Sequence, residues 1–109
     1  MSYSLEIYGE FVYATQADLD SALAGADAGI AEAMAAYGAS YLLRKHLKVD
    51  GLKVSIKMAG MAPASQADLA QSIVDALAEH ACDGSVVLED EETRYRLKAR
   101  KTGAVKPSE

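Results

Sequence analysis

The pentad Thr15-Gln16-Ala17-Asp18-Leu19 returns as Ser65-Gln66-Ala67-Asp68-Leu69, and each copy separates a strand-like run from an Ala-rich segment with helical spacing. The leading hydroxyl is of the type that accepts a hydrogen bond from an orphan amide of the first helical turn. The acid three residues on adds negative charge where the helix dipole favours it. Two such starts, with strand patterns before and between them, restrict the chain to two β-α-β halves. Little else matches between the halves, so the pentads read as two helix N-termini written in the same local chemistry. They locate elements and carry no reaction.

Residues 3–13 alternate with period two. Tyr3, Leu5, Ile7, Gly9, Phe11 and Tyr13 mark a core face, and Ser4, Glu6, Tyr8 and Glu10 an open one, as expected of a half-buried strand. After Thr15, the residues Leu19, Leu23, Ala26, Ile30, Ala33 or Met34, and Tyr37 fall on one helical stripe, with Gly38 as its stop. Gly25 and Gly29 lie inside this helix, each costing about 1 kcal/mol relative to Ala. Either the helix breaks near Gly25, or the stripe Ala22, Gly25, Ala26, Gly29 and Ala33 admits another backbone.

Val49-Asp50-Gly51-Leu52 places Asp-Gly between two alternating runs, which predicts a two-residue type I′ hairpin. With Val49 opposite Leu52, Leu47 meets Val54 and Leu43 meets Met58 on the core face. Arg44 then opposes Lys57, His46 opposes Ser55, and Lys48 opposes Lys53 on the other. A helix continuing from Ile30 through Lys48 is the alternative, since Ala, Leu, Lys and Arg all favour helix.

Residues 58–64 read as a loop punctuated by Gly60 and Pro63, with Ser65 capping a second helix whose inner stripe is Leu69, Ile73, Ala76, Leu77 and His80. Asp83-Gly84 closes it. Residues 85–88 read as a strand, 89–92 as a charged turn and 93–101 as a final strand. The expectation is one α+β domain over residues 1–101 with a flexible tail at 102–109. Its order is that of a ferredoxin-like plait, β-α-β-β-α-β with an additional C-terminal strand, two helices covering one face of an antiparallel sheet. The first strand should lie between the third and fourth, with the extra strand at an edge.

The charge is segregated. All 11 Lys and Arg fall in predicted strands or the tail, whereas the two helices carry acids. The open face is expected to present Arg44, Lys48, Lys53, Lys57, Arg94, Arg96, Lys98 and Arg100, the candidate partner-binding residues. Like charges directly across a strand pair are destabilising, so this face needs compensation. Glu6 and Glu10, beside Lys53 and Lys57, would supply it internally, leaving a solvated, salt-bridged face. An acidic partner protein would supply it externally. Single-stranded nucleic acid fits less well, because such faces interleave aromatics with cations and this one offers Tyr8 alone, flanked by glutamates. The net charge of −5 also disfavours polyanions.

No catalytic constellation stands out. His46 and His80 are the only histidines and Cys82 the only cysteine. His80 and Cys82 sit about 200° apart around a helix, so they do not make a nucleophile–base pair. One cysteine and two distant histidines supply no zinc set. Glu89-Asp90-Glu91-Glu92 lacks the spacing and glycine of a calcium loop. Neither a metal nor another cofactor is expected. The lone cysteine points to a reducing, cytoplasmic setting, residues 1–6 show no secretory leader, and the Ala-rich style suggests a bacterial source. The function expected is a small non-enzymatic protein-interaction module, of the inhibitor, immunity or regulatory type, binding through its basic open face or an edge strand. Homo-oligomerisation through the same surface is compatible with the pattern. The alternatives are a small dimeric plait enzyme or ligand binder, with His80, Tyr13 and Tyr37 in a pocket between helices and sheet, and a single-stranded nucleic-acid binder.

Overall fold

In the computed structural model the described backbone comprises residues 2–38, 40–91 and 94–100, and the described side chains are those of the same residues except 2, 3 and 62–65. Five strands and two helices follow in the order β1 (Ser2–Val12), α1 (Gln16–Tyr37), β2 (Leu47–Asp50), β3 (Lys53–Pro63), α2 (Ala64–His80), β4 (Asp83–Asp90) and β5 (Arg94–Lys98), with a 3-10 turn at Arg44–His46 before β2. The strands form one antiparallel sheet in the order β2-β3-β1-β4-β5, so β1 lies between β3 and β4, and β5 is an edge. Both helices pack on one face of it.

The period-two reading of β1 sets the layers. Leu5, Ile7 and Phe11 are buried towards the helices with Val54, Ile56, Met58, Val86 and Leu88 from the neighbouring strands, while Ser4, Glu6, Tyr8 and Glu10 are exposed on the other side. From the helices, Leu19, Ala22, Ala26, Ile73, Val74 and Leu77 close the same core.

The helix α1 is unbroken. Thr15 caps it in extended conformation, its Oγ1 accepting from the Asp18 amide at 3.1 Å, and Gly38 ends it at φ 73°, donating its N–H to the Met34 carbonyl. The small stripe serves close approach. A Cβ at Gly29 would stand 2.8 Å from Ile73 Cγ1, and one at Gly25 3.3 Å from the Ala76 Cβ. Of the two alternatives for the inner stripe, Ala33 is buried and Met34 is 46% exposed, and Tyr37, also expected on the inner side, is 58% exposed.

Three local expectations are corrected. The alternating run before Val49 is strand only from Leu47, because residues 44–46 form a 3-10 turn; the continuous-helix alternative fails as well, since α1 stops at Gly38. The hairpin pairs Asp50 with Lys53, so Gly51 and Leu52 are the central residues, and Lys48 faces Ser55 rather than Lys53. Gly51 has φ 62° and no other residue type takes positive φ among the described residues; this is the pattern of a type II′ turn, which needs glycine only at the first central position. Finally, residues 58–63 are strand, not loop, because β1 is long enough to pair with β3 from Val12↔Lys53 to Ser2↔Pro63. The helix α2 starts at Ala64, before the expected cap Ser65, whose side chain lies outside the described residues. The segment 102–109 also lies outside them.

The C-terminus of α2 is tied to the sheet by backbone groups that would otherwise be orphaned. Buried Tyr13 donates its hydroxyl to the Leu77 carbonyl at 2.9 Å, and the Cys82 amide donates to Val12. Burial pushes the Tyr13 hydroxyl pKa upward, so it stays a donor. The Ala78 carbonyl accepts from Ala81 and from Arg100. These bonds fix where the chain enters β4 and leaves β5.

Candidate binding face

The register places the open-face side chains in rows across the sheet. One row reads Lys48–Ser55–Glu10–Ser85–Lys98, the next Lys57–Tyr8–Val87–Arg96, and a third Ala59–Glu6–Glu89–Arg94. Two cationic flanks, Lys48, Lys53 and Lys57 on one side and Arg94, Arg96 and Lys98 on the other, therefore enclose an acidic band of Glu6, Glu10, Asp83 and Glu89.

Internal compensation is partial. Lys53 Nζ lies 3.8 Å from Glu10 Oε1, both half-exposed, and faces Asp50 in the hairpin. The Tyr8 hydroxyl donates to Glu89 Oε1 at 3.3 Å. Val87 points to this face yet is only 6% exposed; its cross-strand neighbours Tyr8 and Arg96 flank it on either side, and long side chains of this kind cover apolar surface while keeping their polar ends in water. Lys48, Lys57, Arg94, Arg96 and Lys98 make no ion pair among the described residues.

Two of the eight expected residues belong elsewhere. Arg44 lies in the 3-10 turn, and its guanidinium contacts both carboxylate oxygens of Asp27 on α1 at 2.8 and 2.9 Å. Arg100 follows β5 and reaches α2, with Nη2 3.0 Å from Asp75 Oδ1 and a further bond to the Asp75 carbonyl. Both are tethered on the helix side, so the open face holds Lys48, Lys53, Lys57, Arg94, Arg96 and Lys98. The acids scattered along the helices serve here as local anchors, a pairing over 17 and 25 positions in the chain that no short-range spacing reveals.

His46 is likewise displaced from its expected strand. Its Nδ1 accepts from the Leu43 amide at 3.0 Å. Partial burial, then the neighbouring Lys45 charge, lower its pKa from the usual imidazole value, and the acceptor role requires the neutral ring.

The groups considered for a pocket chemistry do not converge. The Tyr13 hydroxyl is bonded to Leu77, Tyr37 is exposed at the far end of α1, and His80 ends α2. The described residues contain no group of three or more His, Cys, Asp or Glu placed to hold a metal ion, and no helix among them is long and apolar enough to cross a membrane. What sequence reasoning missed is the helix-side flank of β5. Tyr95 is 47% exposed there, whereas Leu97 is partly buried against the core. No protein-family model matches this chain, and no curated protein or solved structure matches it.

Proposed function

We propose that this protein is a non-enzymatic interaction module of the inhibitor, immunity or regulatory type, acting in the cytoplasm and binding a protein with an acidic surface through the open sheet face or its β5 edge. The observation that carries the reading is the set Arg94, Arg96 and Lys98, three exposed cations on one face of an edge strand without an ion pair among the described residues. A purely solvated face would be expected to spend its cations on the adjacent acids, as Lys53 does on Glu10. On the fold, we take the arrangement as a ferredoxin-like plait extended by β5; the support is β1 between β3 and β4, with both helices on one side.

The test is charge reversal. Arg94→Glu with Arg96→Glu is expected to leave the thermal unfolding midpoint within a few degrees of the parent and to abolish capture of the partner from lysate of the native host. Arg44→Ala, on the helix side, is expected to leave capture intact. Capture that survives the reversals removes the basic edge as the binding surface.

A further inference from the structure

We infer that the β5 edge takes up an extended acidic segment of the partner as a sixth, antiparallel strand, with carboxylates at alternate positions opposite Arg94, Arg96 and Lys98. The inference rests on the binding reading above and narrows it to one mode of recognition.

Its basis is a coincidence of backbone and side-chain directions. The Ala99 amide donates to the Gly84 carbonyl of β4. In an antiparallel pair, residues alternate between those whose N–H and C=O point to the neighbour and those whose groups point away. Residues 95 and 97 therefore share the inward sense of Ala99, and Arg94, Arg96 and Lys98 turn their N–H and C=O outward at the edge. The same three residues carry the cations of the open face. An added antiparallel strand would bond through residues directly opposite them, at Cα separations of about 5.5 Å with side chains on the same face. An acid at each such position meets a cation that has no ion pair among the described residues. The intervening residues fall on the helix side, beside Tyr95, whose ring is 47% exposed while Leu97 packs against the core. The fitting segment thus alternates acid and apolar.

A second copy of this chain does not fit, since β5 against itself sets Arg96 opposite Arg96 and Arg94 opposite Lys98. The other edge, β2, has four residues and alternates Lys48 with Asp50 on its open side, so it has no run of one sign. The net charge of −5 repels an acidic ligand at long range, but beyond about 8 Å that field is screened at physiological ionic strength, and contact at the edge is decided by the three local cations. Cations on an edge strand also discourage unwanted pairing. The same residues would then reject mismatched strands while accepting an acidic one.

The experiment uses the full chain with isotopically labelled amides and three synthetic seven-residue peptides. The first alternates Glu with Val, the second has the same composition with its Glu residues grouped, and the third is the first with its Glu amides N-methylated. The alternating peptide is expected to slow exchange of the Arg94, Arg96 and Lys98 amides at least tenfold and to bind at least tenfold more tightly than the other two. Equal binding of the alternating and grouped peptides, no binding at millimolar concentration, or binding without amide protection overturns the edge-strand mode. If Arg94→Glu with Arg96→Glu nevertheless loses the native partner, the face reading stands without it. If the peptide binds in register while those variants still capture the partner, the edge mode stands and the reading of the function falls.

Discussion

At the scale of single residues, the structure uses polar groups mainly to close the ends of elements. Tyr13 is the strongest case, a buried hydroxyl held on the Leu77 carbonyl where α2 runs out of its own donors. Tyr13→Phe keeps the ring and removes that partner, so it is expected to destabilise the fold by about 1–3 kcal/mol, the cost of a buried acceptor left unbonded. The check is the urea midpoint at unchanged m value. His46 gives a pH signature. Its folded pKa lies below the unfolded value of about 6.5, so the unfolded chain takes up a proton first as pH falls. The contribution of the neutral ring is complete above about pH 6.5 and declines as pH drops from there towards the lowered folded pKa. His46→Asn places a non-titrating acceptor near the Nδ1 position. Stability of the variant is expected to vary less than that of the parent between pH 7.5 and 5.5, a range above most carboxylate titration. Equal slopes for the two proteins would show that His46 does not titrate differently on folding.

At the scale of elements, two glycines with positive φ separate conformational cost from steric cost. Gly51 has open space around the site of a Cβ, so Gly51→Ala loses only what a left-handed backbone costs an L-residue, about 1–2 kcal/mol. Gly9, at φ 142° in β1, would drive a Cβ to within 2.3 Å of the Ser85 carbonyl oxygen. Because that obstacle is the backbone of a paired strand, Gly9→Ala adds overpacking to the conformational cost and is expected to lose about 3 kcal/mol or more. Chemical denaturation of the two variants side by side tests the ordering, and equal losses would mean β4 yields. These elements also show what the sequence makes legible. Alternation in β1 and the hydroxyl of Thr15 act over a few residues, and both were readable. The end of β2 was not. Leu43, Lys45 and Leu47 continue the alternation, but the segment before Leu47 turns so that Leu43 can bond His46 and Arg44 can reach Asp27. Likewise Gly60 and Pro63 are turn residues by local chemistry, and they became strand because β1 offered partners along its whole length. Before Leu47 a side-chain-bonded turn and a contact to α1 outranked the alternation, and at 58–63 pairing across the sheet outranked the turn residues.

At the scale of the whole molecule, the charge layout is a property of register more than of composition. A hairpin centred on Asp50-Gly51 would have set Lys48 against Lys53; centring it on Gly51-Leu52 brings Asp50 to Lys53 and leaves Lys48 beside Ser55. The fold thereby removes a like-charge contact without using the β5 cations, which stay available. The same layout predicts that stability and binding respond differently to salt. The three ion pairs seen among the described residues involve side chains that are about half-exposed, each worth no more than about 1 kcal/mol, so raising sodium chloride from 50 to 300 mM is expected to change the urea unfolding free energy by less than about 1 kcal/mol. Attraction between the β5 cations and an acidic partner shares that screening but acts over several charges converging on one strand, and the Debye length shrinks from roughly 14 to 6 Å across the same range. Affinity for the captured partner is expected to fall at least tenfold, mostly through slower association, and the fall should be unchanged when Lys48 and Lys57, on the far flank, are replaced by Gln. A salt response carried equally by the β2–β3 flank would shift the contact from the edge to the whole open face.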